Sequence, residues 1–275
     1  MRKFKDNLLN GLLWFSAFLT VAVLVTIVGY IFYKGYRLIS IDFIFGDYSP
    51  SGHDGGIWPM VVATIYTIVI SLLIATPIGI LAAVYLQEYA KQGKLVRVIR
   101  FATESLTGIP SIIYGLFGAV FFVTTLKLGM SIISASLTLT IIVLPVIIRT
   151  TEEALKVVPR SYREGSLALG TTKLQTLYKV ILPSAMPGIL SGIILSIGRI
   201  VGESAAIFLT AGTVAALPES IFSSARTLTV HSYLVTQESG DIELAAAIGI
   251  VLIVVILVLN FATTFISKKL NKADY

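Results

Sequence analysis

The sequence contains no cysteine, which excludes disulfides, thiolate metal ligands and cysteine nucleophiles. It is also poor in charge: Asp, Glu, Lys and Arg make up 13% of the 275 residues, against roughly a quarter in ordinary soluble domains. Apolar types make up 56%, and the mean hydropathy is +0.89. The core of one soluble domain of this length cannot hide so much apolar surface. The composition therefore predicts a polytopic membrane protein. The formal net charge of +6 is then not evidence for nucleic-acid binding.

Six long runs with little or no charge predict the membrane spans, since a helical span needs about 20 apolar residues. The runs are residues 7–33, 55–87, 105–126, 128–148, 180–218 and 244–267. The third and fourth runs together are too long for one span, so we expect them to form a hairpin. The prediction is an all-α integral membrane protein with six transmembrane helices.

The basic residues predict the orientation in the membrane. The N-terminus, residues 88–104, residues 149–179 and the C-terminus together carry 16 of the 21 Lys and Arg residues. Because basic residues accumulate on the cytoplasmic side, both chain termini are predicted to be cytoplasmic. The basic start of the chain also fits a signal peptide, but the first apolar run is too long for one, so we expect a retained helix.

Three regions follow from this topology. Residues 1–54 would form the first helix and an external connection, residues 55–267 a five-helix core, and residues 268–275 a cytoplasmic tail. Within the core, residues 150–183 form a cytoplasmic loop with helix signals of its own. Thr150 to Glu153 and Thr172 to Gln175 each have the spacing of a capping box.

Other signals in this loop predict short helices. Pro159 suits a helix start and Gly170 a helix end. An apolar face follows at i, i+3, i+4 and i+7, and we expect Pro183 to end that helix. The face consists of Leu174, Leu177, Tyr178 and Ile181. The pattern fits a helix resting on the membrane as well as a helix docked on a cytoplasmic partner, and does not decide between them.

Two charges interrupt the fifth apolar run, Arg199 and Glu203. Their i, i+4 spacing predicts one helical face and an ion pair, and such charges are expected to face protein or water instead of lipid. One interpretation is a salt bridge that merely neutralises two buried charges. The other is a binding site for an anion, because the guanidinium fork matches tetrahedral oxyanions. Ser204, Thr210 and Thr213 are candidate hydroxyl donors, and glycines at 188, 192, 198 and 202 would allow close approach to this helix.

The loop carries a resemblance to a known family. Glu164-Gly165-Ser166, then Gly170 after three residues, then Val180-Ile181-Leu182-Pro183 after nine more, resembles the EAA loop of ABC importer permeases. Gly165 and Ser166 stand where that motif has alanines, and Val180 where it has isoleucine. In that family the loop places a short coupling helix in a cleft of the ATP-hydrolysing subunit. The resemblance implies this role for residues 159–170, with Pro159, Glu164, Gly165, Ser166, Ala168 and Gly170 as the coupling residues.

A narrower resemblance covers most of the chain. Arg199 to Ala205 matches the Arg-x-x-Gly-Glu-Ser/Thr-Ala signature of phosphate-specific permeases of the PstA type. Residues 77–80, 85–90, 109–118 and 159–164 also resemble that family. The resemblance implies the type I ABC importer permease fold and a pathway for inorganic phosphate through Arg199, Glu203 and Ser204.

The same resemblance implies partners: a PstC-like second permease, two ATP-binding subunits, an external phosphate-binding protein and the lipid of a bacterial plasma membrane. The chain itself lacks Gly-x4-Gly-Lys-Ser/Thr, so ATP chemistry is expected in a partner. We expect no catalytic residues, metal or cofactor, and no nucleic-acid partner. The alternatives are a permease for sulfate, molybdate or tungstate, a secondary anion transporter or, lastly, a membrane enzyme.

Overall fold

The computed structural model describes residues 2–49 and 55–272, and these residues contain helices and no strands. In chain order the helices are α1 (Arg2–Gly35), α2 (Ile41–Phe45), α3 (Trp58–Val84), α4 (Lys94–Thr107), α5 (Ser111–Gly118), α6 (Ile132–Val157), α7 (Arg160–Ala168), α8 (Lys173–Thr176), α9 (Leu182–Gly202), α10 (Ala205–Ala211), α11 (Leu228–Leu234) and α12 (Ile242–Lys272). Wider π-helical turns extend α3, α5, α8 and α11, over Tyr85–Tyr89, Ala119–Thr125, Leu177–Ile181 and Val235–Ser239. Residues 50–54 of the predicted external connection and residues 273–275 of the predicted tail lie outside the described residues.

Five of the described helices are long and apolar enough to cross a membrane, and a sixth span results if the bent pair of α4 and α5 is counted as one. The all-α membrane fold is therefore confirmed. One predicted span is corrected: residues 105–126 are not one helix, because the chain bends by 100° between Thr107 and Ser111. Pro110 has no N–H and disfavours the helical conformation of the residue before it, which ends α4.

The centre of the bundle is built from α3, α6 and α9. Parallel α3 and α6 are joined by buried hydroxyls: Ser71 donates to the Ser136 carbonyl at 3.2 Å, and Thr140 to the Ser71 carbonyl at 3.3 Å. Antiparallel α9 approaches α6 at two glycines. A Cβ at Gly192 would overlap the Thr150 hydroxyl, and one at Gly188 would lie 2.5 Å from the Ala154 methyl. Close packing of these three helices positions the segment around Arg199 and the loop that contains α7.

The bundle has two ends, which we call the α7 end and the opposite end. Helices α3, α6 and α12 run from the opposite end to the α7 end, and α9 starts at the α7 end. Helix α1 is antiparallel to α12, with Gly35 against the backbone of Ala246 and Ala247. Arg2 and Lys272 therefore both lie at the α7 end, as an even number of spans requires. Helix α12 continues through residues 268–272, which the sequence assigned to a tail.

Candidate functional site

The segment around Arg199 is a helix end, which the sequence did not predict. Helix α9 ends at Gly202, Glu203 is extended with φ −77° and ψ 128°, and α10 begins at Ala205. Glu203 is therefore not one turn beyond Arg199 on the same helix. No ion pair within 4.0 Å joins the two side chains in the described structure, so the predicted i, i+4 pair is wrong.

Helix α10 accounts for the break. Its end is held at the opposite end of the bundle, where the Ser131 amide donates to the Thr210 carbonyl at 2.9 Å and the Ala225 amide to the Ala211 carbonyl at 3.1 Å. Thr229 satisfies the Val201 carbonyl at the end of α9 through its hydroxyl. The chain thus leaves α9 in order to pack α10 against α5 and α6.

Arg199 lies near the middle of the bundle. Gly188 faces Ala154 and Gly192 faces Thr150 in the antiparallel contact of α9 with α6. Continuing this register puts Arg199 level with Val143, close to the midpoint of α6. Its neighbours Ile200 and Val201 belong to the same buried cluster as Val143. Arg199 therefore belongs to a segment whose neighbouring residues are buried and apolar.

The Arg199 side chain is half-buried, and its Nε–H is buried with no hydrogen-bond partner in the described chain. Tyr114 lies within electrostatic range of the guanidinium. The Tyr114 hydroxyl, however, donates to the Leu106 carbonyl at 2.7 Å. A buried donor without an acceptor is costly, so the guanidinium is suited to an anionic ligand or to a carboxylate of another subunit.

One face of α9 beside Arg199 is open. Ser191, Leu195, Gly198 and Gly202 follow one another at helical spacing and are exposed, with Leu195 at 59%. A Cβ at Gly198 or Gly202 would meet no atom within 4 Å, whereas Gly188 and Gly192 are packed against α6. Of the four glycines predicted to allow close approach, two do so within this chain and two leave space for something outside it.

The candidate hydroxyl donors differ in availability. The Thr210 hydroxyl is buried and donates to the Ala206 carbonyl at 2.6 Å. The Thr213 carbonyl accepts a hydrogen bond from Arg226 Nε at 3.0 Å. Ser204 is half-buried at the start of α10, where its carbonyl accepts from the Phe208 amide at 2.8 Å. Its side chain does not cap the helix, which leaves the Ser204 hydroxyl available.

The predicted loop of residues 150–183 begins later than expected. Helix α6 runs through to Val157, and the Thr150 hydroxyl donates back to the Val146 carbonyl at 2.8 Å instead of capping a new helix. Glu152 is buried and pairs with Arg100 of α4 at 3.0 Å. The predicted capping box at Thr150 to Glu153 is therefore wrong, because these residues continue the packing of α6.

The remaining helix signals of the loop are largely confirmed. Pro159 immediately precedes α7, and Gly170 has a φ of +85°, which favours glycine. Thr172 and Gln175 form the reciprocal capping box. Pro183, however, lies in the first turn of α9 and does not end the preceding helix. The π-helical turn Leu177–Ile181 joins α8 to α9 without a break, and the Leu182 amide donates to the Leu177 carbonyl, so the helix runs on through Pro183.

The coupling residues lie on an exposed helix. Glu164, Gly165 and Ala168 of α7 are exposed, and no hydrogen bond or ion pair of the Glu164 side chain is found in the described part of the chain. The Ser166 hydroxyl bonds to those of Thr171 and Thr176 at 2.8 and 3.0 Å and so ties α7 to α8. Nearby apolar side chains are also exposed: Tyr162, Leu167, Leu169, Leu174 and Tyr178. Since Leu177 and Ile181 are buried, this part of the chain is anchored on one side and open on the other.

A half-buried ion pair that we did not predict holds α7 in place. Arg163 Nη2 lies 2.7 Å from Glu88 Oε1, and the two side chains are 21% and 18% exposed. Arg163 also donates to the carbonyls of Val158 and Leu155 at 2.8 and 2.9 Å. The only signals in the sequence were a Glu in the stretch 85–90 and an Arg beside Glu164.

At the opposite end, Arg226 and His231 pack on Tyr48. The Arg226 guanidinium carbon lies 5.7 Å from the centre of the Tyr48 ring, and Arg226 Nη1 is 3.3 Å from His231 Nδ1. His231 is buried against the edge of the same ring. Burial, and then the positive charge of Arg226, lower the pKa of His231 to about 4. His231 therefore has a structural role in this contact.

The chain belongs to the family described as the binding-protein-dependent transport system inner membrane component, whose pattern matches residues 75–272. It is thus a permease of the ABC importer class, a transporter and not a catalyst. Members of this class work with a second permease, with ATPases and with a binding protein.

Proteins of similar sequence include ABC transporter permeases from several bacteria. A probable ABC transporter permease protein, YqgI of Bacillus subtilis, is 37% identical over 291 residues, covering 98% of this chain and 99% of its own. The phosphate transport system permease protein PstA 1 of Mycobacterium tuberculosis H37Rv is 34% identical, covering 79% and 71%. PstA of Pasteurella multocida is 35% identical, covering 76% and 75%. The predicted resemblance to PstA-type permeases is confirmed.

Solved structures confirm the fold. A chain of a bacterial alginate ABC transporter aligns with a TM-score of 0.64 at 16% identity, covering 98% of this chain and 95% of its own. A chain of the MetNI methionine ABC transporter aligns with a TM-score of 0.55 at 23% identity, covering 80% and 94%. At these identities the likeness concerns the permease fold alone.

Proposed function

We propose that this chain is a membrane-spanning subunit of an ATP-driven importer of inorganic phosphate, and that Arg199, Glu203 and Ser204 lie on the substrate pathway. The observation that carries the proposal is the buried Nε–H of Arg199, which has no partner in the described chain and lies beside the open face of α9. An arginine at mid-membrane costs roughly 2.5–3.5 kcal/mol on insertion scales. An oxyanion bound to the guanidinium fork offsets that cost.

Two arguments favour phosphate over sulfate, molybdate and tungstate. Relatives at 34–35% identity are named phosphate transport system permeases. In addition, Glu203 follows Arg199 by four residues in the sequence, and a carboxylate on the pathway repels an anion that has no proton to share. Phosphate keeps at least one proton near neutral pH and donates it in a hydrogen bond to a carboxylate, whereas sulfate has none. Glu203 would then select against the fully ionised anions.

The open face of α9, with Gly198 and Gly202, is proposed to meet a PstC-like second permease across a shared cavity. Two ATPase subunits would bind the α7 end through Glu164 and the exposed apolar residues around it. An external phosphate-binding protein would deliver its ligand at the opposite end. The excess of basic residues supports a cytoplasmic location of the α7 end, and with it of both termini, in a bacterial plasma membrane.

In the proposed mechanism, closure of the ATPases moves α7. Arg163 ties α7 to Glu88 after α3 and to the last carbonyls of α6, so the movement is transmitted to the two central helices. The cavity then opens alternately to the two sides. ATP binding shifts the equilibrium between the two states of the cavity, and the size of the shift is set by the difference in ATP affinity between those states.

The experiment is phosphate uptake into vesicles that contain the complete transporter. Arg199→Ala is expected to abolish uptake while ATP hydrolysis largely survives, and Arg149→Ala, which removes an arginine from an exposed ion pair with Glu104, serves as the control. Unimpaired uptake by Arg199→Ala contradicts the proposal.

The same vesicles test the alternatives. Unlabelled sulfate, molybdate or tungstate should compete poorly with phosphate, and equal competition would assign the site to tetrahedral oxyanions in general. Uptake that continues without ATP and follows an ion gradient would indicate a secondary transporter.

A further inference from the structure

Helix α4 is amphipathic, yet it turns Arg100 toward the protein beside the buried Val96 and leaves most of its large apolar side chains outside. Arg100 pairs with Glu152 at 3.0 Å, and Glu104 with Arg149 at 3.3 Å, which places α4 beside the last turns of α6. The apolar residues Leu95, Val98 and Phe101 are instead 72%, 61% and 71% exposed. On a soluble domain, a helix of this composition would bury these apolar side chains and expose its charged ones.

The direction of α4 fits the surface of a membrane. The chain turns by 100° between α4 and α5, and α5 with its π-helical extension leads across the bundle. Because α5 belongs to a span, α4 lies roughly in the plane of the membrane. Its ion pair with the buried Glu152 fixes it at the depth where α6 leaves the apolar part of the bundle.

Charge identifies what the outward side of α4 meets. Lys91, Lys94 and Arg97 are exposed, and none of their side chains has a hydrogen bond or ion pair in the described residues. Basic residues interleaved with exposed apolar ones are typical of helices that lie in the headgroup layer and attract anionic lipids. A protein surface that covered α4 would have to supply matching acidic groups.

We propose that the outward side of α4, formed by Lys94, Leu95, Arg97, Val98 and Phe101, binds the headgroups of anionic phospholipids at the α7 end of the bundle, together with Lys91 just before the helix. The apolar side chains enter the acyl boundary, and the three basic side chains contact phosphate groups of the lipid. Since Arg100 links the same helix to Glu152, bound lipid is connected through α4 to the segment that leads into α7. The proposal is independent of the ion that is transported.

The test measures which lipid contacts α4 in the complete transporter. The native chain has no cysteine, so Val98→Cys provides a unique labelling site in it for an environment-sensitive fluorophore. Transporter assembled with cysteine-free partners is placed in bilayers that contain quencher-labelled phosphatidylglycerol or quencher-labelled phosphatidylcholine. Glu219→Cys, at an exposed position near the opposite end of the bundle, is the matched control outside the lipid site.

We expect at least twofold stronger quenching at position 98 by phosphatidylglycerol than by phosphatidylcholine, and we expect added salt to reduce the difference. Lys94→Gln with Arg97→Gln should remove the preference and leave transport in neutral lipid unchanged. Equal quenching by the two lipids overturns the proposal. Absence of quenching by either lipid also overturns it, because position 98 would then be covered by a partner subunit.

Discussion

Arg163 and Glu88 are 75 positions apart in the sequence and form a 2.7 Å ion pair between the coupling loop and the end of α3. Arg163 is at the same time a donor to two carbonyls near the end of α6. One side chain therefore joins the helix that is expected to contact the ATPase to both central spans. A rigid connection of this kind is what transmission of movement from α7 requires.

The first prediction concerns this connection. Glu88→Gln leaves the Arg163 charge without its counterion, and the lost charged hydrogen bond is worth about 1.5–3 kcal/mol. We expect fewer phosphate ions transported per ATP hydrolysed, with the complex still assembled. Glu153→Gln is the control, since Glu153 forms only an exposed pair with Lys156. Equal ratios of transport to hydrolysis in the two variants would exclude a coupling role for Glu88.

The second prediction concerns docking at α7. Glu164 is exposed, and its side chain forms no hydrogen bond or ion pair in the described residues. Glu164→Lys should therefore not unfold the chain. It should weaken association with the ATPase subunits or uncouple their hydrolysis from uptake. Co-purification and uptake assays measure both effects. Lys173→Glu, a charge reversal of another exposed side chain in the same loop, is the control, and normal assembly with full transport by Glu164→Lys counts against the docking role.

The third prediction separates the glycines of α9. Gly192→Val places a side chain into the Thr150 contact, and overpacking of this kind typically costs about 1–3 kcal/mol. The isolated chain should therefore unfold at lower temperature. Gly198→Val meets open space within the chain and should leave its unfolding temperature unchanged while weakening assembly with the second permease. If Gly198→Val lowers the unfolding temperature as much as Gly192→Val, the open face does not exist.

The fourth prediction follows from the buried histidine. His231 has a pKa of about 4 in the folded chain against 6.5 for the ordinary value. The unfolded chain therefore takes up the proton first, and stability is lost as the pH falls from about 6.5 towards 4. This difference in the pKa of His231 between the folded and the unfolded chain changes the free energy of unfolding by roughly 3 kcal/mol at most.

The measurement is the unfolding temperature of the purified chain as a function of pH. His231→Gln should show a smaller decrease than the unmodified chain between pH 6.5 and 4, because carboxylates titrate in both proteins and only one has the histidine. Parallel curves would mean that His231 is not buried in its neutral form.

The sequence predicted the number of spans and much of the loop because those features depend on local patterns. Long apolar runs, the capping box at Thr172 and the glycine at Gly170 require no knowledge of distant residues. The break of α9 at Gly202 was missed because its cause is distant: α10 packs on α5 and α6, and this overrides the helical spacing of Arg199 and Glu203.

The same reasoning explains the errors at the start of the loop. Thr150 to Glu153 has the spacing of a capping box, but Glu152 is paired with Arg100 and Gly192 packs on Thr150. These tertiary contacts keep the segment inside α6. The Arg163–Glu88 pair likewise joins residues that no local pattern connects, so only the folded chain reveals it.

The central claim is that Arg199 faces a hydrated passage in which it meets phosphate. The native chain lacks cysteine, so Arg199→Cys in a transporter with cysteine-free partners can be treated with a hydrophilic, positively charged thiol reagent. We predict that position 199 reacts, that phosphate slows the reaction, and that the restored positive charge returns part of the lost uptake. Val254→Cys, exposed on α12, is the control for a position outside the passage. If position 199 does not react in any state of the ATP cycle, or if phosphate leaves the reaction rate unchanged, the account is wrong.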